Sequence, residues 1–470
     1  MSNINQSTKS QKFIFLKRGY QFLNGKLICL CIRDLTSKVQ LIASIFLLPT
    51  AIFRLPAASS KHPASSFQFL TTILFLNIGV FGYSQNLKEY MNIAETNNPE
   101  IQAFELRHNI AEEKVNEANW IPNTEVSAGY FVSEPETRVG AQRARIGVKQ
   151  MLPWFGTITA RENYATAMAE TEYVDITIAK RKLALSVAQS YYRLYAIEAK
   201  QKVLEENVQL LETYERLALT SVEVGKASAV DVLRLQIRQN ELQQQKEVLE
   251  EEFTAEQTAF NNLLNRESMM TVDVVPEMEI PQGDPFYTNE GLSLNPELLK
   301  YDKLYESVAQ SELLNQRESL PMIGFGLDYL PVTERSDVNF SDNGKDVLMP
   351  MVSVSIPIFN NRYKSISKQN ELRQREIEIQ REQRLNVLES ALAQAKSQRN
   401  QARIAYNTQV SNLNQAQDAE EILVKNYETG TIDFNDVLDI QQLQLKFQVN
   451  QIESVRMYYE QSAIINYLIN

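Results

Sequence analysis

The stretch Tyr427-Glu428-Thr429-Gly430-Thr431-Ile432-Asp433-Phe434-Asn435-Asp436-Val437-Leu438-Asp439 lies between two long helical patterns. A weaker copy stands upstream at Val222-Glu223-Val224-Gly225-Lys226-Ala227-Ser228-Ala229-Val230-Asp231-Val232-Leu233. In both, Asp-Val-Leu begins six residues after a glycine, and the paired glycines and paired aspartates are each 205 residues apart. A period held to the residue marks an internal duplication. The chain therefore reads as two copies of one unit.

Working outward from the glycines, neither Thr157–Val224 nor Arg362–Thr429 contains Gly or Pro, and each runs 68 residues. As unbroken helices they would each reach roughly 100 Å. Beyond each glycine a helix returns, over Ser228–Arg266 and Asp433–Leu468. Leu235, Leu242 and Leu249, then Leu438, Leu445, Ile452 and Tyr459, repeat every seven residues, and Leu385, Leu388, Leu392 and Ala395 carry the seam on the outbound side. That spacing implies supercoiled packing with the polar remainder in water.

Each copy opens on a short helix. Asn98-Pro99-Glu100 and Asn295-Pro296-Glu297 place a capping Asn, a first-turn Pro and an acid at its start, which satisfies the free N–H groups and the helix dipole. The helices stop before Pro122 and Pro321. A short helix stacked end to end on a return helix matches one outbound helix in length. This places all strands at one end and the glycine turns at the other.

Two alternating segments follow each short helix: Glu125–Ser133 and Arg143–Met151, then Met322–Leu330 and Met351–Phe359. Ile323, Phe325, Leu327 and Tyr329 share one face against Gly324, Gly326 and Asp328. Period two over about nine residues fits strands of a transmembrane barrel. It fits a half-buried antiparallel sheet as well, and periodicity alone leaves both open. Pro153-Trp154-Phe155-Gly156 and Pro357-Ile358-Phe359-Asn360 suit a barrel rim.

Bulk composition narrows the class. The net charge is −11, yet residues 1–84 hold nine basic residues and one acid, so the remainder stands at −19. An acidic surface argues against nucleic acid. Cys29 and Cys31 are the only cysteines, and His108 is the only histidine after His62. A thiolate or histidine-rich metal centre is therefore not expected after residue 84, and no cofactor is expected. No nucleophile–base set or phosphate loop appears, so the chain does not read as an enzyme. Leu70–Gly82 followed by Gly82-Tyr83-Ser84 has the form of a signal peptide and cleavage site, with Gln85 as the new N-terminus. The expected organisation is a leader or N-terminal extension over 1–60, a signal peptide over 61–84, a first repeat over 85–284 and a second over 285–470.

The duplicated Asn-Pro-Glu starts, the paired strands and the Tyr427–Asp439 stretch resemble the TolC-like outer-membrane efflux protein family, over about residues 86–470. The resemblance implies a mainly α fold with a transmembrane β part. Three chains would share a 12-strand barrel in the outer membrane, set on a periplasmic α-barrel. It implies a passive channel of a tripartite efflux or type I secretion system. Its partners would be a periplasmic adaptor protein and an inner-membrane pump of the RND or ABC type. Met151–Gly156 is similar to members that serve heavy-metal or cation pumps. The rival readings are a coiled-coil scaffold, or the adaptor itself, which carries one hairpin rather than two.

Gly225 and Gly430 read first as left-handed helix ends; the resemblance makes those turns adaptor-docking tips. Asp231 and Asp436 each lie three residues after a capping residue, which explains them structurally. The resemblance places Asp436 and Asp439 at the narrow periplasmic entrance, where three copies form an acidic ring. Arg234 occupies the first-copy position of Asp439. Tyr427 matches a residue that helps hold the entrance closed, against a plain packing role in the coiled coil; the first copy has Val222 there. Arg143, Arg145 and Lys149 are expected to face the barrel lumen, and Met269-Met270 to pack rather than bind metal.

Overall fold

The computed structural model describes residues 83–469, apart from 226–227, 285–289, 430 and 433, all within the unit spanning 74–470. The expected leader and signal peptide, the two cysteines, Gly430 and the capping position Asp433 fall outside the described residues, save that Tyr83 and Ser84 lie in the first helix.

Two helices, α1 (Tyr83–Asn97) and α2 (Pro99–Glu117), lead into β1 (Glu125–Tyr130), the short β2 (Glu136–Thr137) and β3 (Gly140–Gln142), and β4 (Ala144–Leu152). The chain then runs through α3 (Thr157–Glu223), turns, and returns in α4 (Ala229–Leu263). After a short α5 (Glu290–Ser293), the order recurs as α6 (Pro296–Glu318), β5 (Met322–Leu330), β6 (Val332–Thr333), β7 (Val347–Ser355), α7 (Arg362–Glu428) and α8 (Phe434–Ile469). The outbound helices α3 and α7 are 67 residues each.

Four strands form one antiparallel sheet in the order β1-β4-β5-β7, and β2, β3 and β6 form a second, small one. In the larger sheet Val126 faces Val148, Val148 faces Leu327, and Phe325 faces Val352. Val126, Tyr130, Ile146, Val148, Phe325, Leu327, Tyr329, Leu348, Val352 and Val354 therefore share one side, and all are exposed. The opposite side carries Ser127, Gly147, Lys149, Gly324, Gly326, Asp328 and Ser353.

Three strands differ in their bounds from the sequence reading. The last strand runs 347–355 rather than 351–359. Pro350 lies within the ladder, opposite Leu327. Pro357 ends the ladder instead, and Ile358 and Phe359 stand exposed beyond it. In the first pair, β1 stops at Tyr130, short of Ser133, and β4 starts at Ala144 and runs one residue past Met151.

The helices form a layer. α3 packs against α2, α4, α6 and α8, and α7 against α6 and α8. The end-to-end stacking has a specific joint. Asn98 Oδ1 accepts from the Glu100 N–H at 2.8 Å, and its Nδ2 donates to the Leu263 carbonyl at 2.9 Å. Asn295 repeats this with Glu297 N–H at 2.9 Å and Leu468 O at 3.0 Å. One side chain thus starts a short helix and closes a return helix. The seam residues are the core: Leu235, Leu242, Leu388, Leu392 and Ala395 are all buried.

Residues 264–284 bind the first copy to the second. Tyr90 and Tyr191 hydroxyls accept from the N–H groups of Asp273 (3.0 Å) and Val275 (3.1 Å), and Tyr195 from Met278 (3.0 Å). Tyr459 donates to Glu279 O at 2.7 Å. The segment ends on Asp284, whose carboxylate meets Arg399 at 3.2 Å, Arg403, and the Tyr458 hydroxyl at 2.7 Å.

Candidate functional site

Two regions hold the candidate residues. The first is the turn end of the helices. Gly225 has φ +71°, the left-handed geometry expected of it, and a Cβ there would meet nothing within 4 Å. Its role in the fold is thus conformational rather than steric. Ser228 opens α4 with a full capping box: its Oγ accepts from Val230 N–H at 3.2 Å, and Asp231 reaches back to Ser228 N–H at 3.3 Å. Asp231 therefore has the structural work that its spacing implied.

Arg234 lies 4.0 Å from Asp231 and donates to Asn435 Oδ1 in the first turn of α8, tying the two return helices together. Asp436 stands in that same first turn, and both Asp436 and Asp439 are exposed. Tyr427 is packed. Its ring is 4.9 Å from Phe434, which in turn lies 5.8 Å from Tyr214. Its hydroxyl is buried without a hydrogen-bond partner among the described residues.

Above this aromatic trio sits a residue that sequence reading missed. Glu420 Oε1 accepts from the Tyr214 hydroxyl at 2.7 Å and Gln441 at 3.1 Å, while Oε2 accepts from Gln444 at 2.7 Å. One carboxylate on α7 therefore joins α3 and α8. Burial, and then the Glu420 carboxylate, push the Tyr214 phenol upward. No sequence signal marks Glu420, because its partners lie 206, 21 and 24 residues away.

The second region is the polar side of the large sheet. Arg145 pairs with Asp328, which is almost fully buried, between β4 and β5. Arg143 lies just before β4, 3.7 Å from Glu134. Lys149 stands opposite Glu125 on one side and Gly326 on the other. All three basic residues alternate with the exposed apolar set, as expected of their positions. Asp328 was legible as a polar-face position but not as the partner of Arg145. Met269 and Met270 are exposed, so the packing expected of them is not what the structure shows. No group of three His, Cys, Asp or Glu residues able to hold a metal occurs among the described residues. No described helix is long and apolar enough to cross a membrane, which leaves a β-barrel untouched by that test.

The fold is a four-stranded sheet with one exposed apolar face, set on a layer of very long paired helices. Residues 91–266 match the model of the family described as outer membrane efflux protein. No curated protein matches the sequence. Among solved structures, the chain is similar to the outer-membrane channel OprN (TM-score 0.65, 16% identity, 82% of this chain and 90% of that one). It is similar to CusC, studied for transmembrane channel formation (0.67, 14%, 82% and 92%). It is also similar to the outer membrane protein VceC of Vibrio cholerae (0.62, 16%, 82% and 95%). The resemblance to outer-membrane efflux proteins thus stands on sequence over the first copy and on fold over both.

Proposed function

We propose that three copies of this chain form a passive exit duct of a tripartite efflux system, with a 12-strand barrel in the outer membrane and a helical barrel in the periplasm. The observation that carries this reading is the sheet. Ten large apolar side chains stand exposed on one face, the other face mixes polar residues and glycine with methionines, Leu330 and Val347, and both edges, β1 and β7, are open. Four strands cannot close on themselves, and open edges are not tolerated in lipid. Three copies supply twelve strands, an even number of antiparallel strands within the range of such barrels.

The helical layer supports the same closure. Its ends are α2 with α4 on one side and α7 on the other. Both ends carry exposed apolar residues: Leu106, Ile110, Leu233, Ile237 and Val248 on one, Leu372, Ile379, Val387, Ile404 and Ile422 on the other. Joining unlike edges head to tail closes a ring. Trp120, Ile121, Phe155, Ile358 and Phe359, exposed where strands meet helices, are placed to meet the lipid headgroup zone. In this arrangement the Gly225 and Gly430 turns face a periplasmic adaptor driven by an inner-membrane pump, Asp436 and Asp439 approach the entrance, and the protein carries out no chemistry.

Fractionation with and without heating tests the reading. A trimer in the outer membrane that dissociates only on boiling is expected; a soluble monomer or dimer would sink the proposal.

A further inference from the structure

Where α3 meets α8, small side chains leave room between the helices. Ala184 and Ala188 on α3 and Ser462 and Ala463 on α8 line one groove of about 610 Å³, and Leu87 and Met91 of α1 close its side. Along α3 the lining runs from Arg181 to Tyr192, roughly 16 Å of helix. A second cavity of about 530 Å³ shares Leu87, Met91, Tyr192 and Tyr459 with the first and prolongs it. The groove lies within one chain, so it does not rest on the trimeric reading above.

The tyrosines along it are turned to apolar use. The hydroxyls of Tyr458 and Tyr459 donate to Asp284 and to Glu279 O, both at 2.7 Å, and that of Tyr467 donates to Glu297. These rings therefore offer the groove carbon rather than hydroxyl. Arg181 is the only charged residue lining the larger cavity. Its guanidinium donates to the Tyr467 carbonyl, lies 5.6 Å from the Tyr467 ring, and forms no ion pair among the described residues. The carboxylate whose field reaches it, Glu297, is already engaged by Arg384 and by the Tyr467 hydroxyl. Burial pulls the guanidinium down from its ordinary value. A half-buried cation with donors to spare, at one end of an elongated apolar groove, favours an anionic head with an apolar body.

We propose that this groove binds a long-chain fatty acid, its carboxylate on Arg181 and its acyl chain between α3 and α8. The planar guanidinium fork matches a carboxylate in shape. One unpaired cation balances one negative charge. The elongated shape suits a chain better than a compact ring, and the alanines and Ser462 leave that chain its path.

The test measures binding of tritiated palmitate to the purified protein in amphipol, with free detergent removed. Saturable binding of one palmitate per chain is expected, displaced by oleate and not by the matching alcohol, hexadecanol. Arg181→Gln keeps a donor for the Tyr467 carbonyl and removes the charge; affinity should fall at least tenfold, and Arg181→Lys should restore part of it. Ala184→Leu fills the groove without touching the cation and should weaken binding as well. Palmitate should raise the thermal midpoint of the native chain and leave that of Arg181→Gln unmoved. Should Arg181→Gln fail to fold, Ala184→Leu and the hexadecanol competition decide the matter. Equal affinity in the native chain and Ala184→Leu overturns the site. Displacement by hexadecanol overturns the role of the cation, and tighter binding of lysophosphatidylglycerol than of palmitate overturns the carboxylate assignment.

Discussion

The side-chain amide of Asn98 donates to the Leu263 carbonyl at 2.9 Å while its oxygen caps α2. Two helices that are separate in sequence, 19 and 35 residues long, are thereby joined end to end alongside the 67-residue α3. Asn98→Ala should lose the cap, costing about 1 kcal/mol, and leave the last carbonyl of α4 without its partner. Asn98→Asp keeps the acceptor and loses the donor, so it should fall between. Asn295 is the more buried of the pair, at 2% exposed against 8%, and Asn295→Ala should cost more than Asn98→Ala. Urea unfolding of the purified protein checks the order; equal stability of all three variants would show that the joint is incidental.

Much of this architecture was legible because its signals are local. Asn-Pro-Glu starts, glycine ends and seven-residue seams are written in neighbouring residues, so α2, α3, α6 and α7 stand within a few residues of their expected bounds. The sites were less legible. Glu420, Asp328 and the tyrosines along 264–284 act on residues far away in sequence, and a lone carboxylate or phenol gives no hint of which distant amide it meets. The last strand was misplaced for a related reason: only its pairing with β5 shows where the ladder begins and ends.

Asp284 gives the join between the two copies a pH dependence. Burial alone would raise its carboxyl, but the Tyr458 hydroxyl, Arg403 and Arg399 outweigh it and hold the group below the usual carboxylate range. Tyr458 is in turn pushed up to about 12, by burial first and then by Asp284. A depressed carboxyl contributes stability above its unfolded value of about 3.9 and loses it as pH falls through the folded value. Thermal midpoints should therefore drop more steeply for the native chain than for Asp284→Asn below about pH 4. Parallel curves would show that Asp284 does not couple the copies.

Glu420 predicts an asymmetric mutational response. Glu420→Ala leaves the Tyr214 hydroxyl and the amides of the buried Gln441 and Gln444 without their acceptor, a loss of about 2–4 kcal/mol. Glu420→Gln keeps one acceptor oxygen and should cost less than half as much. Amide hydrogen exchange across 430–445 is the direct readout. Faster exchange there in the alanine variant, with α2 and α6 unchanged, is the expected pattern; uniform acceleration would assign Glu420 to global stability instead.

The three tip aspartates differ in what already holds them. Asp231 is engaged in the Ser228 cap and lies near Arg234. Asp436 sits in the first turn of α8, where an acid is favoured by the helix dipole. Asp439 lies past that turn, exposed, and forms no ion pair among the described residues. A charge with no structural partner is the one whose removal should change conduction without unfolding the tip. In planar bilayers, Asp439→Ala is expected to lower cation selectivity severalfold with little change in thermal midpoint. Asp231→Ala should show the reverse, a stability loss of about 1 kcal/mol and a nearly unchanged selectivity. Arg234 occupies the matching position in the first copy, so Arg234→Asp should add acidic charge at the tip and raise cation selectivity. If Asp439→Ala and Arg234→Asp both leave selectivity where it was, the narrow entrance is not formed by these positions.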